Sequence, residues 1–422
     1  MRSGDMKLKS YEIDSYRSCL RTKSPLQDTL TGLIGINGSG KSNILNSLVL
    51  LKKMVRSRPL TRDEDSPSRN KCRITAEIEY QKKTLFMRGI IEYETDEHNH
   101  DEVYSSQLKF NFREFLNYPK WINIPLQLFS LTNPFSTSIN KPLMDSRWMD
   151  IIQYYHINQE DFNFIRTRRI GQLLNAVFNF FDGINYYSAS QFSDPSRCPV
   201  SMELEENRPS RRVRVGGVGH ERFIFDLYQS WKAKNIQFKR YINTVGNEGI
   251  GLVDNVQFTE IDIPSSSYEV TVGGKIQKIE RNRLLVVPNF SINNIELSPN
   301  QLSEGTFKTL ALVYYILNDD SKLLLIEEPE VCVHHGLLSS IISLIKTQSK
   351  QKQIVMSTHS DFVLDHLEPE NLLQVKWIPN KGTIATPLNR AISKNDYKEL
   401  KIYLKESGNL GEYWKESGFE ND

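Results

Sequence analysis

Apolar residues along this chain fall into short, bounded runs, and three of these runs end in unusual polar sequences. Leu30 to Ile34 has the length of a buried strand and leads into Gly35-Ile36-Asn37-Gly38-Ser39-Gly40-Lys41-Ser42. Immediately afterwards, Asn43 to Met54 carries Ile44, Leu45, Leu48 and Leu51 at helical spacing. Leu323 to Ile326 predicts a second buried strand, closed by Glu327-Glu328-Pro329, and the run from Ile354 to His359 predicts a third with a polar end. A strong helix, Phe307 to Leu317, follows Leu302-Ser303-Glu304-Gly305 and offers Leu310, Ala311, Tyr314, Tyr315 and Leu317 for packing.

Between these runs the pattern is more varied. Leu8 to Cys19 alternates as a strand pair would, and Arg73 to Tyr80, Leu85 to Glu94 and Val103 to Phe112 read as a meander. From Arg113 to Asp182 helical spacing is broken early by Pro119, Pro125, Pro134 and Pro142. Asn185 to Ser190 reads as a strand, and the polar, arginine-bearing stretch Ser193 to Gly219 reads as a loop or lobe boundary. Glu221 to Tyr241 predicts a helix pair, with strands near Val253 to Ile263, Tyr268 to Val272 and Leu284 to Val287. The fold class expected is α/β with three parts: an N-terminal lobe (1–190) with a β-rich decoration and helical insertion, a second mixed α+β lobe (191–300), and a C-terminal part (301–422).

Composition narrows this picture only modestly. The chain is long enough, at 422 residues, to bury at least one large core, and no apolar stretch reaches the roughly twenty residues of a membrane span. The N-terminus lacks a secretory apolar segment, so a cytoplasmic protein with no membrane partner is expected. Cys19, Cys72, Cys198 and Cys332 are too scattered for a zinc site or disulfide framework and read as reduced thiols. The formal charge of +2 does not by itself argue for nucleic-acid binding.

The candidate chemistry lies where the apolar runs end. The spacing G-x-x-x-x-G-K-S supplies glycines for a tight loop, backbone N–H groups from Asn37, Gly38, Ser39 and Gly40, a charge at Lys41 and a magnesium-binding hydroxyl at Ser42. Strand, glycine loop and helix together point to a nucleoside triphosphate with Mg²⁺. Paired acids at the end of a buried strand suit metal-assisted phosphoryl transfer: Glu327 faces the magnesium, and Glu328 projects further to polarise the attacking water. His359, at the end of the third strand, could contact the γ-phosphate. Ser303 reads either as a helix cap or as part of a phosphate-facing turn.

These motifs, with Asn37 to Asn43 as the nearest local match, resemble the RecF-, SMC- and OLD-like branch of ABC-type ATPases. The resemblance implies a P-loop ATPase head that binds ATP and Mg²⁺. It also implies that Ser303 and Gly305 contact ATP held by a second copy, so that nucleotide closes a homodimer or higher homo-oligomer. Gln191 fits the position of a magnesium-sensing glutamine, or is an ordinary loop glutamine; Tyr16 and Arg17 resemble an aromatic-basic pair near the nucleotide, or are surface residues. Glu327 departs from the commoner aspartate, and Cys332-Val333-His334-His335 from a glycine-leucine-histidine-proline turn; the paired histidines read as a solvated or interface turn. About sixty residues follow His359, too few for a TOPRIM nuclease domain as well as the rest of the head, so no nuclease is expected in cis. The ending Gly408 to Trp414 resembles stand-alone ATPase subunits of anti-phage systems of the Septu or PARIS type. That implies a sensor or scaffold controlling a separate nuclease, of HNH or TOPRIM type. The alternative is a RecF-like repair ATPase clamping DNA through Arg166, Arg168 and Arg169 or Arg208, Arg211, Arg212 and Arg214.

Overall fold

A computed structural model describes residues 6–56, 71–95, 102–116, 118–124, 168–205, 219–270, 276–331, 333, 335–406 and 408–416. The chain divides into two compact units, residues 1–186, 320–327 and 349–422 forming one and 187–319 and 328–348 the other.

The first unit is built on two sheets with a helix between them. Strands β1 (Met6–Tyr16) and β2 (Cys19–Pro25) form a hairpin, and β3 (Leu30–Ile34) leaves it to end at the glycine loop. Helix α1 (Lys41–Val55) follows, and the meander β4 (Lys71–Tyr80), β5 (Lys83–Thr95), β6 (Glu102–Phe112) and β7 (Tyr118–Ile124) completes an antiparallel sheet in the order β2-β1-β4-β5-β6-β7. Alternation drives this sheet: Leu8, Ile13, Ile74, Ala76, Ile78, Met87, Leu108 and Phe110 share one buried core with Ile44, Leu48 and Leu51 of α1. Helix α1 touches strands of both sheets, which is why it buries Leu50 and Val55 as well as its expected stripe. Helix α2 (Arg168–Asp182) packs on α1 with Leu174, Val177 and Phe181, and β8 (Asn185–Ser188) carries the chain into the second unit.

That unit opens with a 3₁₀ turn, Ala189–Phe192, and β9 (Met202–Glu205). The strand expected through Ser190 therefore stops at Ser188, because the Ser188 and Gln191 side chains cap the turn reciprocally. Helices α3 (His220–Lys232) and α4 (Ile236–Val245) are the expected pair. The three expected strands are instead two long ones, β10 (Asn255–Val270) and β11 (Ile276–Ile292), paired along their whole length from Asn255–Ser291 to Val270–Ile276. Pro264 and the polar run Ser265 to Ser267 lie within β10, where continuous cross-strand pairing overrides local propensity. The short β12 (Ile295–Leu297) pairs with β11. Helix α5 (Glu304–Asn318) anchors the unit through an aromatic cluster: Tyr315 stacks on Tyr187 at 4.5 Å, and Phe223 meets Phe307 edge-on at 5.4 Å.

The chain then returns as β13 (Leu323–Glu327) and passes through α6 (His335–Ser349) of the second unit. In the first unit again, β14 (Gln353–Thr358), a short helix α7 (Asp361–Leu364), β15 (Leu372–Ile378), β16 (Gly382–Pro387) and two final helices, α8 (Lys394–Lys405) and α9 (Leu410–Glu416), complete it. The second sheet has the order β16-β15-β3-β14-β13-β8, with β15, β3, β14 and β13 parallel. All five residues of β3 and all six of β14 are buried, as central parallel strands require. Buried Gln353 ties this sheet to the other: its side chain accepts from the Leu8 N–H at 2.7 Å and donates to the carbonyls of Leu8 and Gln27, each at 2.9 Å. The fold is thus α/β, with a strand, glycine loop and helix at the carboxyl edge of a largely parallel sheet, a β-rich decoration and a second mixed unit.

Candidate nucleotide site

The phosphate loop keeps its shape through contacts that only glycine permits. Gly35, Gly38 and Gly40 have φ of 158°, 81° and 102°. A Cβ on Gly35 would lie 2.2 Å from the Val375 carbonyl oxygen, and one on Gly40 only 2.0 Å from Thr383 Oγ1. Gly40 caps α1, so the first N–H groups and the positive end of the helix face the loop interior. The Lys41 ammonium, 4% exposed, donates back to the carbonyls of Gly35 and Ile36 at 2.8 and 3.1 Å, tying the start of the loop to the helix.

A second tie comes from residues without any local signature. Thr383 Oγ1, on β16, donates to the Ser39 carbonyl at 3.0 Å and lies 2.7 Å from Ser18 Oγ, which in turn accepts from Asn43 Nδ2 at 2.7 Å. The hairpin turn after β1 and the β15–β16 turn thus grip the loop and the first turn of α1 together. Thr383→Val keeps the shape but leaves the Ser39 carbonyl unpaired. It is expected to cost about 1–3 kcal/mol and to weaken ATP binding, measured by thermal unfolding and nucleotide titration; unchanged affinity would separate this clamp from the loop.

Strand register brings the remaining chemistry to the same edge. Glu327 on β13 lies opposite Ser357 on β14, Ser357 lies opposite Leu33 on β3, and Thr358 opposite Ile34. The carboxyl ends of three strands therefore finish level, placing Glu327, His359 and Gly35 at one rim, where ligands of open parallel sheets bind. His359 is exposed and, with Gly35, Ile36 and Asn37, lines a cavity of about 170 Å³. The Tyr186 hydroxyl donates to Glu327 Oε2, fixing the carboxylate's direction. Ser39 Oγ and Ser357 Oγ, both at this rim, are buried with no hydrogen-bond partner among the described residues. Orphan hydroxyls beside a helix N-terminus and a lysine fit a triphosphate with hydrated Mg²⁺. Ser42 and Glu327 are the residues that would hold the metal.

Other candidates stand elsewhere. Tyr16 is 1% exposed and packs in the core, so the aromatic of the suggested pair does not serve the nucleotide as a surface group. It turns inward after Ser15, whose φ of 59° breaks the alternation of β1, whereas exposed Arg17, with φ of 49° in the turn, reaches Asn43 Oδ1 at 3.5 Å. Glu328, where the second unit resumes, adopts a left-handed φ of 43°. Gln191, in the second unit, accepts from the Ser188 N–H at 3.2 Å. Ser303, also in that unit, is exposed and caps α5, its Oγ accepting from the Thr306 N–H at 3.2 Å, with Gly305 in the first turn. Glu304 pairs with nearly buried Lys308 at 2.7 Å, and that hydrogen bond holds its carboxyl below the usual range. Cys332 and His334 lie outside the described residues, as does the side chain of His335. Buried Cys19 is pushed up to about 11, and Cys72 and Cys198 to about 12, all by desolvation, which keeps them as thiols at neutral pH. Among the described residues no helix is long and apolar enough to cross a membrane.

Of the residues suspected from sequence, Asn37 to Asn43, Glu327 and His359 share the first unit, whereas Glu328, Gln191, Ser303 and Gly305 belong to the second. Sequence reasoning missed Ser18, Tyr186 and Thr383, whose hydroxyls act through partners far away in the chain.

Comparison with solved structures finds SMC head domains. The SMC head domain from Thermotoga maritima is 14% identical, with a TM-score of 0.42, over 90% of this chain and 98% of that one. An SmcHead bound to the C-winged helix domain of ScpA is 12% identical, with a TM-score of 0.47, over 90% and 96%. An Smc head domain with an extended coiled coil, bound to the C-terminal domain of ScpA derived from Pyrococcus furiosus, is 12% identical, with a TM-score of 0.42, over 94% and 100%. No curated protein matches the chain. A family profile does match residues 149–365, just over half of the chain, including Ser303, Glu327, Glu328 and His359. On that match the chain belongs to the family described as AAA domain, putative AbiEii toxin, Type IV TA system.

Proposed function

We propose that this protein binds and hydrolyses MgATP, and that ATP held on the phosphate loop of one copy is completed by the Ser303–Gly305 turn of another. The observation that carries the reading is the level rim of β3, β14 and β13, which collects Gly35, His359 and Glu327. In this mechanism the N-terminus of α1 and Lys41 hold the β- and γ-phosphates, while Ser42 and Glu327 hold Mg²⁺, with Gln191 as a further metal-side residue. Mg²⁺ held there by Ser42 and Glu327 would supply the positive charge that offsets charge developing on the γ-phosphoryl group. Glu328 accepts a proton from the attacking water, and His359 donates towards the γ-phosphate oxygen. Exposed Ser303, at the positive end of α5, gains full electrostatic benefit only when a second copy presents a triphosphate, so nucleotide acts as an interfacial ligand.

The cellular role we infer is that of a sensor or scaffold in a defence system whose separate nuclease it restrains or positions. The family's description as a toxin of a two-component system supports a paired arrangement. The DNA-clamp reading rests on arginines whose side chains lie outside the described residues. Ser303→Arg tests the composite pocket: monomer folding and ATP binding should persist, while ATP-dependent association, followed by light scattering, should disappear. Association undiminished by this variant would remove the turn from the interface.

A further inference from the structure

The last helix, α9, is fastened to the segment that follows His359. Its Gly411 N–H donates to Asp365 Oδ1 at 2.7 Å, and Lys415 pairs with Asp361 Oδ2 at 2.6 Å. These two aspartates bracket α7, which begins two residues after His359. The approach is close: a Cβ on Gly411 would lie 2.4 Å from the Asp361 carbonyl oxygen. On the other side, Tyr403 of α8 donates to Glu412 at 2.9 Å. Leu410 and Trp414, four residues apart on one face, are buried to 2% and 5% exposure.

Trp414 is the residue this fastening places. Its indole lines the cavity formed by His359, Thr358 and Asn37, and also a neighbouring cavity of about 250 Å³ formed by Gly38, Ser39 and Trp377. The same side chain therefore borders the space between the outer part of the phosphate loop and the end of β14. Ile36, at the outer part of the loop, is 51% exposed.

We propose that α9 is a latch, and that Trp414 is a positioning residue that holds His359 and the tip of the phosphate loop in register for the reaction. The proposal rests on the ATPase reading above. A large side chain that borders the cavity shared by these two segments affects their spacing more than the binding of a triphosphate whose charge is met by α1 and Lys41. Displacing such segments by a fraction of an ångström lowers turnover by about tenfold or more.

The full chain carrying Trp414→Ala, Trp414→Phe or Gly411→Ala would be compared with the wild type by MgATP turnover, by direct nucleotide titration and by amide hydrogen exchange. Trp414→Ala should lower kcat by about tenfold or more while changing the ATP Kd much less. Trp414→Phe should recover most of the loss, and Gly411→Ala should reproduce it with Trp414 intact, by prying α9 from Asp361. Combined with His359→Ala, Trp414→Ala should cost less than the product of the two single losses, since part of its effect acts through that residue. Exchange should quicken at residues 36–39 and 359–365 in Trp414→Ala without nucleotide. Wild-type kcat in Trp414→Ala, multiplicative losses in the double variant, or unchanged exchange at both segments would overturn the latch. A wild type without ATP turnover would overturn the ATPase reading instead, and the exchange measurement would still decide the latch.

Discussion

Lys41→Ala should reduce affinity for MgATP by roughly 10- to 100-fold, the range for losing a charge-assisted hydrogen bond of about 1.5–3 kcal/mol. Two losses coincide in this variant. The ammonium proposed to meet the phosphates is gone, and so are its bonds to the Gly35 and Ile36 carbonyls, which tie the start of the loop to the helix. The rest of α1 should stand, because Ile44, Leu45, Leu48 and Leu51 keep it in the core. Titration with a fluorescent ATP analogue, beside a thermal unfolding curve, measures both consequences. Wild-type affinity in a folded Lys41→Ala protein would mean that the loop is not the triphosphate site.

Glu328→Gln should have a larger effect on turnover and a smaller one on binding. Replacing the carboxylate with an amide of nearly the same shape removes the proton acceptor and retains the volume. Loss of a general base typically lowers the rate by about 10²- to 10⁴-fold. The left-handed backbone at Glu328, with φ of 43°, is equally open to glutamine, so the turn should persist. Bound ATP would then accumulate and hold copies together, which single-turnover kinetics and light scattering would both record. Equal loss of ATP binding in Glu328→Gln and Lys41→Ala would assign Glu328 to the binding of nucleotide instead. The same measurement on Glu327→Gln should show binding lost together with Mg²⁺ dependence, since that carboxylate, oriented by Tyr186, is the one proposed to hold the metal.

Much of the first unit was legible because its signals are local. The strand from Leu30 to Ile34 has the expected bounds, and the helix at 41–55 extends its apolar pattern by only a few residues. The strand from Leu323 also ends where the acids begin. The second unit was less legible for a physical reason. The β10–β11 ribbon takes its length from cross-strand pairing, and a pair such as Pro264–Asn282 leaves no periodic mark on either segment. Tyr16 misled because an aromatic beside an arginine says nothing about which way it faces, and Ser15, with a left-handed φ of 59°, interrupts the alternation of β1 and leaves Tyr16 inward.

By itself the sequence determined the chemistry available at each strand end: glycines, lysine and serine after β3, paired acids after β13, a histidine after β14. Such groups follow from spacing within a few residues, where sterics and helix geometry dominate. Only the tertiary structure decided that these ends lie level, because strand order and register come from burying β3 and β14 between their neighbours. It likewise decided that Thr383 holds Ser39, that Tyr186 aims Glu327 and that Trp414 stands beside His359. A hydroxyl or an indole carries no local pattern, and its partner is chosen by the packing of segments far apart in the chain.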